Sequence, residues 1–364
     1  MSESGDPVLA LGLMSGTSID GVDAALLWTD GDAIVEPRGV FTTSYDDALR
    51  TALRDAIDQA EMLPNVKSVE RAITMAHAAA VEALLQQESI LPEIVHVIGF
   101  HGQTILHRPE AGVTWQIGDG AMLAVATEID VVSDFRSADM ESGGEGAPLA
   151  PVFHAALAEN LRKPLAVLNV GGVANVTWIG PDGSLVAFDT GPGNAMIDDW
   201  CRIHTGSRFD ENGHLASSGT VDAEILQRLL DNTYFDRPSP KSLDRNAFSV
   251  DPVAGMPVAD GAATLTAFTV NAIARAAAHF PSPVERWLVC GGGRRNAVLM
   301  ASLNDALSGS VDPVETVGWD GDTLEAQAFA YLAVRSRRGL PLTFPSTTRV
   351  SRPMTGGRFD PALL

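Results

Sequence analysis

The sequence predicts an α/β fold in which a sheet covered by helices is built twice, in two domains with a cleft between them. Three observations support this prediction. Segments typical of strands and of helices alternate along the chain. Each half opens with a strand, a turn of small residues and a returning strand, which indicates an internal duplication. The 364 residues are enough for two domains, since one domain commonly holds ~100–200 residues.

The first half is predicted to open with a hairpin, because an apolar strand over 8–14 runs through a turn of Gly, Ser and Thr into a second strand over 22–28. This order differs from the strand–loop–helix order of a P-loop. Apolar residues later recur at spacings of three and four, as in an amphipathic helix. The further elements predicted here are helices over 46–62, 66–90, 121–127 and 148–161 and strands over 95–100 and 130–133.

The second half repeats the opening, with a strand over 165–170, a Gly-Gly turn and a returning strand over 174–179. A third strand is expected over 185–188, after a Pro-Asp-Gly turn. We expect irregular structure over 340–364, which is rich in Pro, Gly and Thr. The further elements predicted here are a strand over 287–290 and helices over 195–204, 221–231, 262–279, 296–308 and 324–338.

The charge balance restricts the partners. The chain has 25 Lys and Arg against 46 Asp and Glu, a formal net charge of −21, which disfavours nucleic acids and anionic membranes because both are polyanions. No apolar run reaches the ~18–20 residues that span a bilayer. The first residues lack the basic start of a signal peptide, and two cysteines are too few for a disulfide framework. We therefore expect a cytoplasmic protein.

The turn after the first strand is a candidate phosphate site. Gly16 and Gly21 allow backbone N–H groups to point into a concavity, and Ser15, Thr17 and Ser18 add hydroxyl donors. The same residue types are common in an ordinary hairpin turn, so composition alone leaves both interpretations open.

Three further glycine-rich loops follow strands in the second half, at 169–175, 189–194 and 291–296. Asp189 is expected at the carboxyl end of its strand, where ligands of open α/β sheets bind, and could act as a general base, hold a metal or cap a helix. Beside the glycine triplet at 291–293, Arg294 and Arg295 could stack on a base or neutralise phosphate.

Together these strings resemble the 1,6-anhydro-N-acetylmuramic acid kinases, bacterial cell-wall recycling enzymes of the actin, hexokinase and Hsp70 ATPase superfamily. The resemblance covers about residues 9–357. It departs at 241–248, where Lys-Ser-Leu-Asp-Arg-Asn-Ala-Phe differs from the expected Lys-Ser-Thr-Gly-Arg-Glu pattern. The matching strings lie at 12–23, 99–104, 116–120, 134–136, 144–149, 169–175, 189–194, 291–293 with Asn296, and 325–329.

The resemblance implies a two-domain actin-like ATPase (ribonuclease H-like) fold with a central cleft that holds the nucleotide. The first domain would comprise 1–135 and about 325–364, and the second 136–324. It also implies a phosphotransferase with an alcohol acceptor, which uses ATP and Mg²⁺ and forms a homodimer. Water would open the 1,6-anhydro ring at C1, with Asp189 as the base, and O6 would then take the γ-phosphoryl group.

The resemblance assigns further residues to the substrates. Arg136 would bind the carboxylate of the sugar acid, unless it pairs with Asp134 or Asp139. His101 would line the sugar site or be a structural histidine, and Glu325 would bond the sugar or cap its helix. The ATP-binding residues would be Ser15, Gly16, Thr17, Ser18 and Asp20 for the γ-phosphate, Gly171, Gly172 and Asn175 near the β-phosphate, and Gly291, Gly292 and Asn296 near adenosine; Asp20 would also contact Mg²⁺ through water.

Two alternative functions remain. One is a kinase that acts on an ordinary sugar hydroxyl or on a carboxylate. The other is an actin-like or Hsp70-like module that hydrolyses ATP to drive motion or partner binding. Acids and arginines occur in both classes, so Asp189 and Arg136 do not distinguish them. The full set of matching strings favours the anhydro-sugar kinase.

Overall fold

The computed structural model describes residues 5–16, 18–62 and 66–362. The chain divides into two compact units, of which the first contains Met1–Asn160 with Thr323–Leu364 and the second contains Leu161–Asp322. Each unit is built on its own β-sheet with helices, so the predicted α/β class is confirmed.

Elements are numbered in chain order over the described residues. The strands are β1 (Val8–Ser15), β2 (Gly21–Thr29), β3 (Val35–Ser44), β4 (Val97–Arg108), β5 (Val113–Ile117), β6 (Val131–Ser133), β7 (Leu165–Val170), β8 (Val173–Ile179), β9 (Leu185–Pro192), β10 (Arg286–Cys290), β11 (Ser310–Pro313) and β12 (Arg358–Asp360). The helices are α1 (Asp47–Asp58), α2 (Lys67–Glu88), α3 (Gly120–Thr127), α4 (Ser137–Glu141), α5 (Pro151–Leu157), α6 (Ala195–Thr205), α7 (His214–Ser217), α8 (Ala223–Leu230), α9 (Val258–Ala276), α10 (Ala297–Ala306), α11 (Leu324–Arg337) and α12 (Pro345–Thr348).

The five strands of the second sheet follow the same order as five strands of the first sheet. In the first unit the order is β12-β6-β4-β1-β2-β3, with β5 paired to β4, and in the second it is β11-β10-β7-β8-β9. Each contains a three-stranded antiparallel meander, β1-β2-β3 or β7-β8-β9, whose first strand pairs with a parallel strand, β4 or β10. The parallel strand then pairs with β6 or β11. This agreement confirms the predicted duplication of the fold.

Residues 136–160 belong to the first unit, whereas the predicted boundary assigned them to the second. Their contacts explain this placement. The hydroxyl of Thr348 donates to Asp139 Oδ2 at 2.6 Å, and the Glu145 N–H donates to the Thr348 carbonyl at 2.7 Å. The ring centroid of Phe153 lies 5.6 Å from that of Tyr331. These contacts join segments far apart in the chain, and no local sequence pattern indicates them.

The strands that the sequence did not predict lie mainly at sheet edges. β3 and β11 are the terminal strands of their sheets. β3 contains Pro37 and Gly39 and has no buried residue, so it lacks the alternating apolar pattern that identifies a strand. The segment expected to be irregular, 340–364, contributes α12 and β12.

Helix α11 packs closely on the first sheet, and nearly all of its residues are buried. Glycine is required at two strand positions beneath it. A Cβ atom at Gly12 in β1 would overlap the Ala326 carbonyl, and one at Gly99 in β4 would overlap the Phe329 carbonyl. Because these contacts are with helix backbone, no side-chain rearrangement can relieve them. The two glycines therefore allow the helix and the sheet to approach each other.

The second sheet packs on α9 and α10 through a core that includes Phe188, Trp287 and Leu299. A further apolar cluster joins α6, α8 and α9 around Trp200 and Phe268. Across the described residues, no helix combines the length and apolar character that crossing a bilayer requires.

Four histidines of the first unit are buried: His77, His101, His107 and His154. Burial lowers the pKa of His77 to about 4 and those of His107 and His154 to about 3. Burial and the nearby Arg136 guanidinium hold the pKa of His101 well below its usual range. The folded protein therefore keeps these imidazoles neutral at a pH where the unfolded chain already protonates them.

Replacing Gly12 by Ala should lower the free energy of unfolding by about 3 kcal/mol or more, because the new methyl group meets helix backbone. Urea unfolding monitored by circular dichroism measures this loss. Gly171→Ala is the matched control, since its Cβ would meet only atoms at ordinary contact distance, the Val173 carbonyl oxygen at 3.5 Å and Asn169 Oδ1 at 4.0 Å. An unchanged midpoint for Gly12→Ala would contradict the packing described here.

Acidification should destabilise the protein before its carboxylates titrate. As pH falls below about 6.5, the unfolded chain takes up protons while the four buried imidazoles of the folded protein stay neutral, so unfolding should become easier by several kcal/mol between pH 7 and pH 5.5. Urea midpoints at the two pH values measure the loss. His77→Leu should reduce it by about a quarter, whereas substitution of the exposed His214 by Gln should not. Equal midpoints at both pH values would refute the prediction.

Candidate active site

The loop between β1 and β2 is fixed at its start by a buried hydrogen-bond network. The hydroxyl of Ser15, which is 1% exposed, donates to Gln103 Oε1 at 2.7 Å and accepts from the Tyr45 hydroxyl at 2.8 Å. Gln103 Nε2 donates to the Gly16 carbonyl at 3.1 Å. Ser15 therefore positions the loop from beneath. The roles of Gln103 and Tyr45 were not predicted from the sequence. An amide side chain within a predicted buried strand could have indicated a polar contact at Gln103.

The outer part of the loop presents polar side chains. Ser18 and Asp20 are exposed, and the Ser18 hydroxyl donates to Asp20 Oδ1 at 2.8 Å. Between them Ile19 is buried with a φ of 57°, a strained conformation for a β-branched residue. Its carbonyl accepts a 3.3 Å hydrogen bond from Nε of the buried Arg50. Thr17, which the sequence analysis assigned to the γ-phosphate, lies outside the described residues.

His101 and Arg136 are in direct contact. His101 Nδ1 lies 2.9 Å from the Gly102 carbonyl oxygen, which can only accept, so Nδ1 carries the proton. The lone pair of Nε2 then accepts from Arg136 Nη2 at 2.9 Å. The neutral histidine thus orients one side of the guanidinium. Two of the three predicted sugar-binding residues, His101 and Arg136, are therefore neighbours in the first unit.

Arg136 also contacts the loop before α5. Arg136 Nη1 donates to the Gly146 carbonyl at 2.6 Å, and the Gly146 N–H donates to Asp139 Oδ1 at 2.7 Å. Asp139 is therefore linked to Arg136 through Gly146, while Asp134 accepts instead from the Ser137 hydroxyl at 2.6 Å. The loop is anchored by these bonds.

Glu325 lies in the first turn of α11, where the helix dipole favours a carboxylate. Its side chain is half-buried. On the same helix, the ring centroid of Phe329 lies 4.7 Å from that of His101. The helix that carries Glu325 therefore packs directly on the histidine that holds Arg136.

Asp189 lies within β9 and not at its carboxyl end, which corrects the prediction. The β8–β9 ladder continues beyond it to Pro192, and Asp189 stands opposite Asn175. A bulge places Thr190 as an extra residue between Asp189 and Gly191, and such bulges re-aim side chains. Asp189 is only 6% exposed, and its Oδ2 accepts the Leu243 N–H at 2.8 Å.

The turn at Gly171 and Gly172 joins the loop that follows Asp189. The Gly171 carbonyl accepts the Asn194 N–H at 2.8 Å, and the Gly172 carbonyl accepts the Gly193 N–H at 2.9 Å. A Cβ at Gly193 would overlap the Gly171 carbonyl. Two loops that the sequence identified separately therefore form one structure, whose glycines at 171 and 172 are half-exposed.

The glycine triplet begins in a left-handed conformation. Gly291 has a φ of 73°, and a Cβ there would overlap Asn169 Oδ1. The adjacent Arg294 is buried in two ion pairs, with Glu315 at 2.7 Å and Asp322 at 2.9 Å. The guanidinium of Arg294 is thus committed to protein carboxylates, contrary to the expectation that it meets a nucleotide. Arg295 also pairs with Asp322.

Asn296 caps a helix. Its side-chain Oδ1 accepts the Leu299 N–H at 3.0 Å, which satisfies one of the first amides of α10, and only 8% of the residue is exposed. The structure accounts for Asn296 through this cap, and its predicted role near adenosine stays a prediction.

Comparison with known proteins adds a family to this geometry. The family model described as anhydro-N-acetylmuramic acid kinase matches residues 8–362. A relative of that name from Rhodospirillum rubrum is 54% identical over 365 residues, covering 100% of this chain and 96% of the relative. Another from Paramagnetospirillum magneticum is 55% identical over 354 residues, covering 96% and 99%.

Among solved structures, the likeness is weaker. The activator of the 2-hydroxyisocaproyl-CoA dehydratase from Clostridium difficile, with bound ADPNP, is 12% identical with a TM-score of 0.47, and the match covers 91% of this chain and 96% of that one. The family model and the relatives, which span nearly the whole chain, decide the assignment. The chain belongs to the anhydro-N-acetylmuramic acid kinase family, whose members are phosphotransferases with an alcohol group as acceptor.

Proposed function

We propose that this chain uses ATP to convert 1,6-anhydro-N-acetylmuramic acid to N-acetylmuramic acid 6-phosphate, with ADP as the second product. The observation that carries the proposal is the buried carboxylate of Asp189, which lies on a bulged strand and accepts a hydrogen bond from the Leu243 main-chain amide. The chain that holds it matches this kinase family over residues 8–362. A carboxylate so fixed is suited to general-base catalysis, which needs a positioned acceptor for a proton.

The substrate requires two bond exchanges. Its O6 is part of the 1,6-anhydro bridge, so no hydroxyl is present there to phosphorylate. Water attacks C1 and gives one proton to Asp189, while the C1–O6 bond breaks and its electron pair goes to O6. O6 then attacks the γ-phosphorus of ATP, and the bond to the bridging oxygen breaks to release ADP.

Arg136 is proposed to bind the carboxylate of the sugar acid. A guanidinium recognises a carboxylate through paired N–H donors, and this one is oriented by neutral His101 and by the Gly146 carbonyl. Because His101 is neutral, it positions Arg136 and does not itself attract the carboxylate by charge. Glu325 is proposed to accept hydrogen bonds from sugar hydroxyls.

The nucleotide is proposed to bind the glycine-rich loops of each unit. In the first unit, the exposed hydroxyl and carboxylate of the β1–β2 loop support a role near the γ-phosphate, with Ser15 holding the loop in place. In the second unit, half-exposed glycines support close approach of a ligand to the backbone. The residues proposed are Gly16, Thr17, Ser18 and Asp20, and then Gly171, Gly172, Asn175, Gly291, Gly292 and Asn296.

The residues fit a Mg²⁺ ion that arrives with ATP. Within the described ranges, no group of three or more His, Cys, Asp or Glu side chains could form a metal cage. Mg²⁺ bound to nucleotides commonly needs only one or two protein carboxylates and keeps several waters, and the exposed carboxylate of Asp20 is suited to contact it through water. When bound, the ion would neutralise phosphate charge during transfer.

We place this reaction in cell-wall recycling and amino-sugar catabolism in the cytoplasm, with a homodimer as the active form. The buried thiols of Cys201 and Cys290 support a reducing compartment. The net charge of −21 supports a role for Mg²⁺, because an acidic surface disfavours anions that lack a counterion.

The purified chain should phosphorylate 1,6-anhydro-N-acetylmuramic acid with MgATP and yield an opened ring with a 6-phosphate, which mass spectrometry and NMR identify. Glucose and N-acetylglucosamine should be far poorer acceptors, because they lack the carboxylate that Arg136 binds. Comparable turnover of glucose would favour an ordinary sugar kinase. ATP hydrolysis that no sugar stimulates would favour an ATPase module instead.

Asp189→Asn should lower kcat by ~10²–10⁴-fold, because an amide cannot take the proton of the attacking water. Its affinity for ATP, measured by calorimetry, should stay within about twofold. Asp182→Asn is the matched control, since Asp182 is an exposed carboxylate in a turn of the same unit, and it should keep wild-type turnover. A substantial rate for Asp189→Asn would exclude Asp189 as the base.

A further inference from the structure

The segment that follows α8 contacts both the main chain and the side chain of Asp189. The Asp189 N–H donates to the Lys241 carbonyl at 2.9 Å. Two residues further on, the Leu243 N–H donates to Asp189 Oδ2 at 2.8 Å. In a regular parallel pairing, that second bond would go to the backbone carbonyl of Asp189. At Asp189 the Leu243 amide therefore bonds the side-chain carboxylate in place of the backbone carbonyl.

Tyr234 contacts the backbone carbonyl of Asp189, which the Leu243 amide does not use. Its hydroxyl donates to the backbone carbonyl of Asp189 at 2.5 Å, and the residue is 6% exposed. The same segment therefore holds Asp189 at two places, with the Tyr234 hydroxyl on its backbone carbonyl and the Leu243 amide on its carboxylate. A main-chain amide is a rigid donor, so it fixes the position of Oδ2 more closely than a flexible side chain would.

Lys241 in turn holds Tyr234. Its ammonium group donates to the carbonyls of Tyr234 at 2.9 Å and Phe235 at 3.2 Å, and it lies 4.6 Å from the centroid of the Tyr234 ring. Only 2% of Lys241 is exposed. Burial and the neighbouring Arg237 lower the pKa of Lys241 to about 8, so the group is still mostly protonated at neutral pH.

We infer that Tyr234 and Lys241 are positioning residues for the Asp189 carboxylate, an inference that rests on the proposed function. Lys241 fixes the ring and main chain of Tyr234, and Tyr234 occupies the backbone carbonyl of Asp189. The Leu243 amide then holds the carboxylate in the orientation that proton transfer from water requires. Both residues act through Asp189.

The same contacts bear on the stretch 241–248, where the sequence departs from the family pattern. Lys241 and Arg245 keep the pattern, and both have side-chain bonds that fix the segment: Arg245 pairs with Asp199 of α6 at 3.0 Å. Leu243 departs from it, but its contact with Asp189 is made by the main-chain amide. The departure therefore leaves the link to Asp189 intact.

Tyr234→Phe tests the inference, because it removes one hydroxyl and preserves the packing of the ring. We expect kcat to fall ~10–100-fold with the KM values for ATP and the anhydro-sugar within twofold, since substrate binding does not require the orientation of the base. Tyr331→Phe is the matched control. It removes the hydroxyl that donates to the Asp32 carbonyl at 2.8 Å and accepts from Arg335 Nη1 at 3.2 Å, both in the first unit, and should leave kcat unchanged.

Lys241→Met provides a second, independent test, since it removes the charge at similar side-chain length. It should lower kcat in the same way without changing either KM. The double variant Tyr234→Phe/Lys241→Met should be no slower than about the slower single variant, because both substitutions break the same link. Urea midpoints for all variants show whether each is folded.

The outcomes separate this inference from the proposed function. If the wild-type enzyme turns over the anhydro-sugar and folded Tyr234→Phe keeps its kcat, the positioning role is refuted and the proposed function stands. Multiplicative losses in the double variant would also refute it. If the wild-type enzyme does not turn over the anhydro-sugar, the proposed function fails and the positioning role fails with it.

Discussion

The contact between the backbone of α11 and strands β1 and β4 is the constraint on which the candidate site of the first unit depends. Gly12 and Gly99 allow it, because any larger residue would overlap a helix carbonyl. β1 leads directly into the β1–β2 loop, β4 carries His101, and α11 carries Glu325 in its first turn. Since α11 follows the whole second unit in sequence, the first unit is complete only when the chain has returned. Fold topology and site geometry are thus determined by the same close approach.

The second unit positions its carboxylate by a different device. Asp189 lies on a bulged strand, and its hydrogen bonds come from residues 45 and 54 positions away in the chain. In both units the candidate functional groups are held by main-chain atoms: the Gly146 carbonyl for Arg136, and the Leu243 amide for Asp189. Main-chain partners keep their positions when neighbouring side chains vary. The side chain at position 243 does not take part in this contact, which the main-chain amide of Leu243 makes.

The sequence was sufficient for features that depend on local patterns. Hairpins with glycine turns, the long helices and the repeated opening of each half were predicted because apolar period and turn chemistry are local. Edge strand β3 escaped prediction because it has no buried face. The position of Asp189 inside its strand, the ion pairs of Arg294 and the contacts of Tyr234 depend on long-range packing. Spacing in a single sequence does not indicate such contacts. Asp189 and Arg294 could therefore be identified as candidates, but the residues that they contact could not.

The proposed function requires one chain to couple hydrolysis of the anhydro bridge to phosphoryl transfer. Turnover of 1,6-anhydro-N-acetylmuramic acid with MgATP in H₂¹⁸O tests it most directly, with the product analysed at once by mass spectrometry. The product should carry one ¹⁸O atom on C1 and none in its phosphate group, because in the proposed reaction water attacks carbon and O6 attacks phosphorus. Label in the phosphate and an intact anhydro bridge would contradict it, because water would then have attacked ATP.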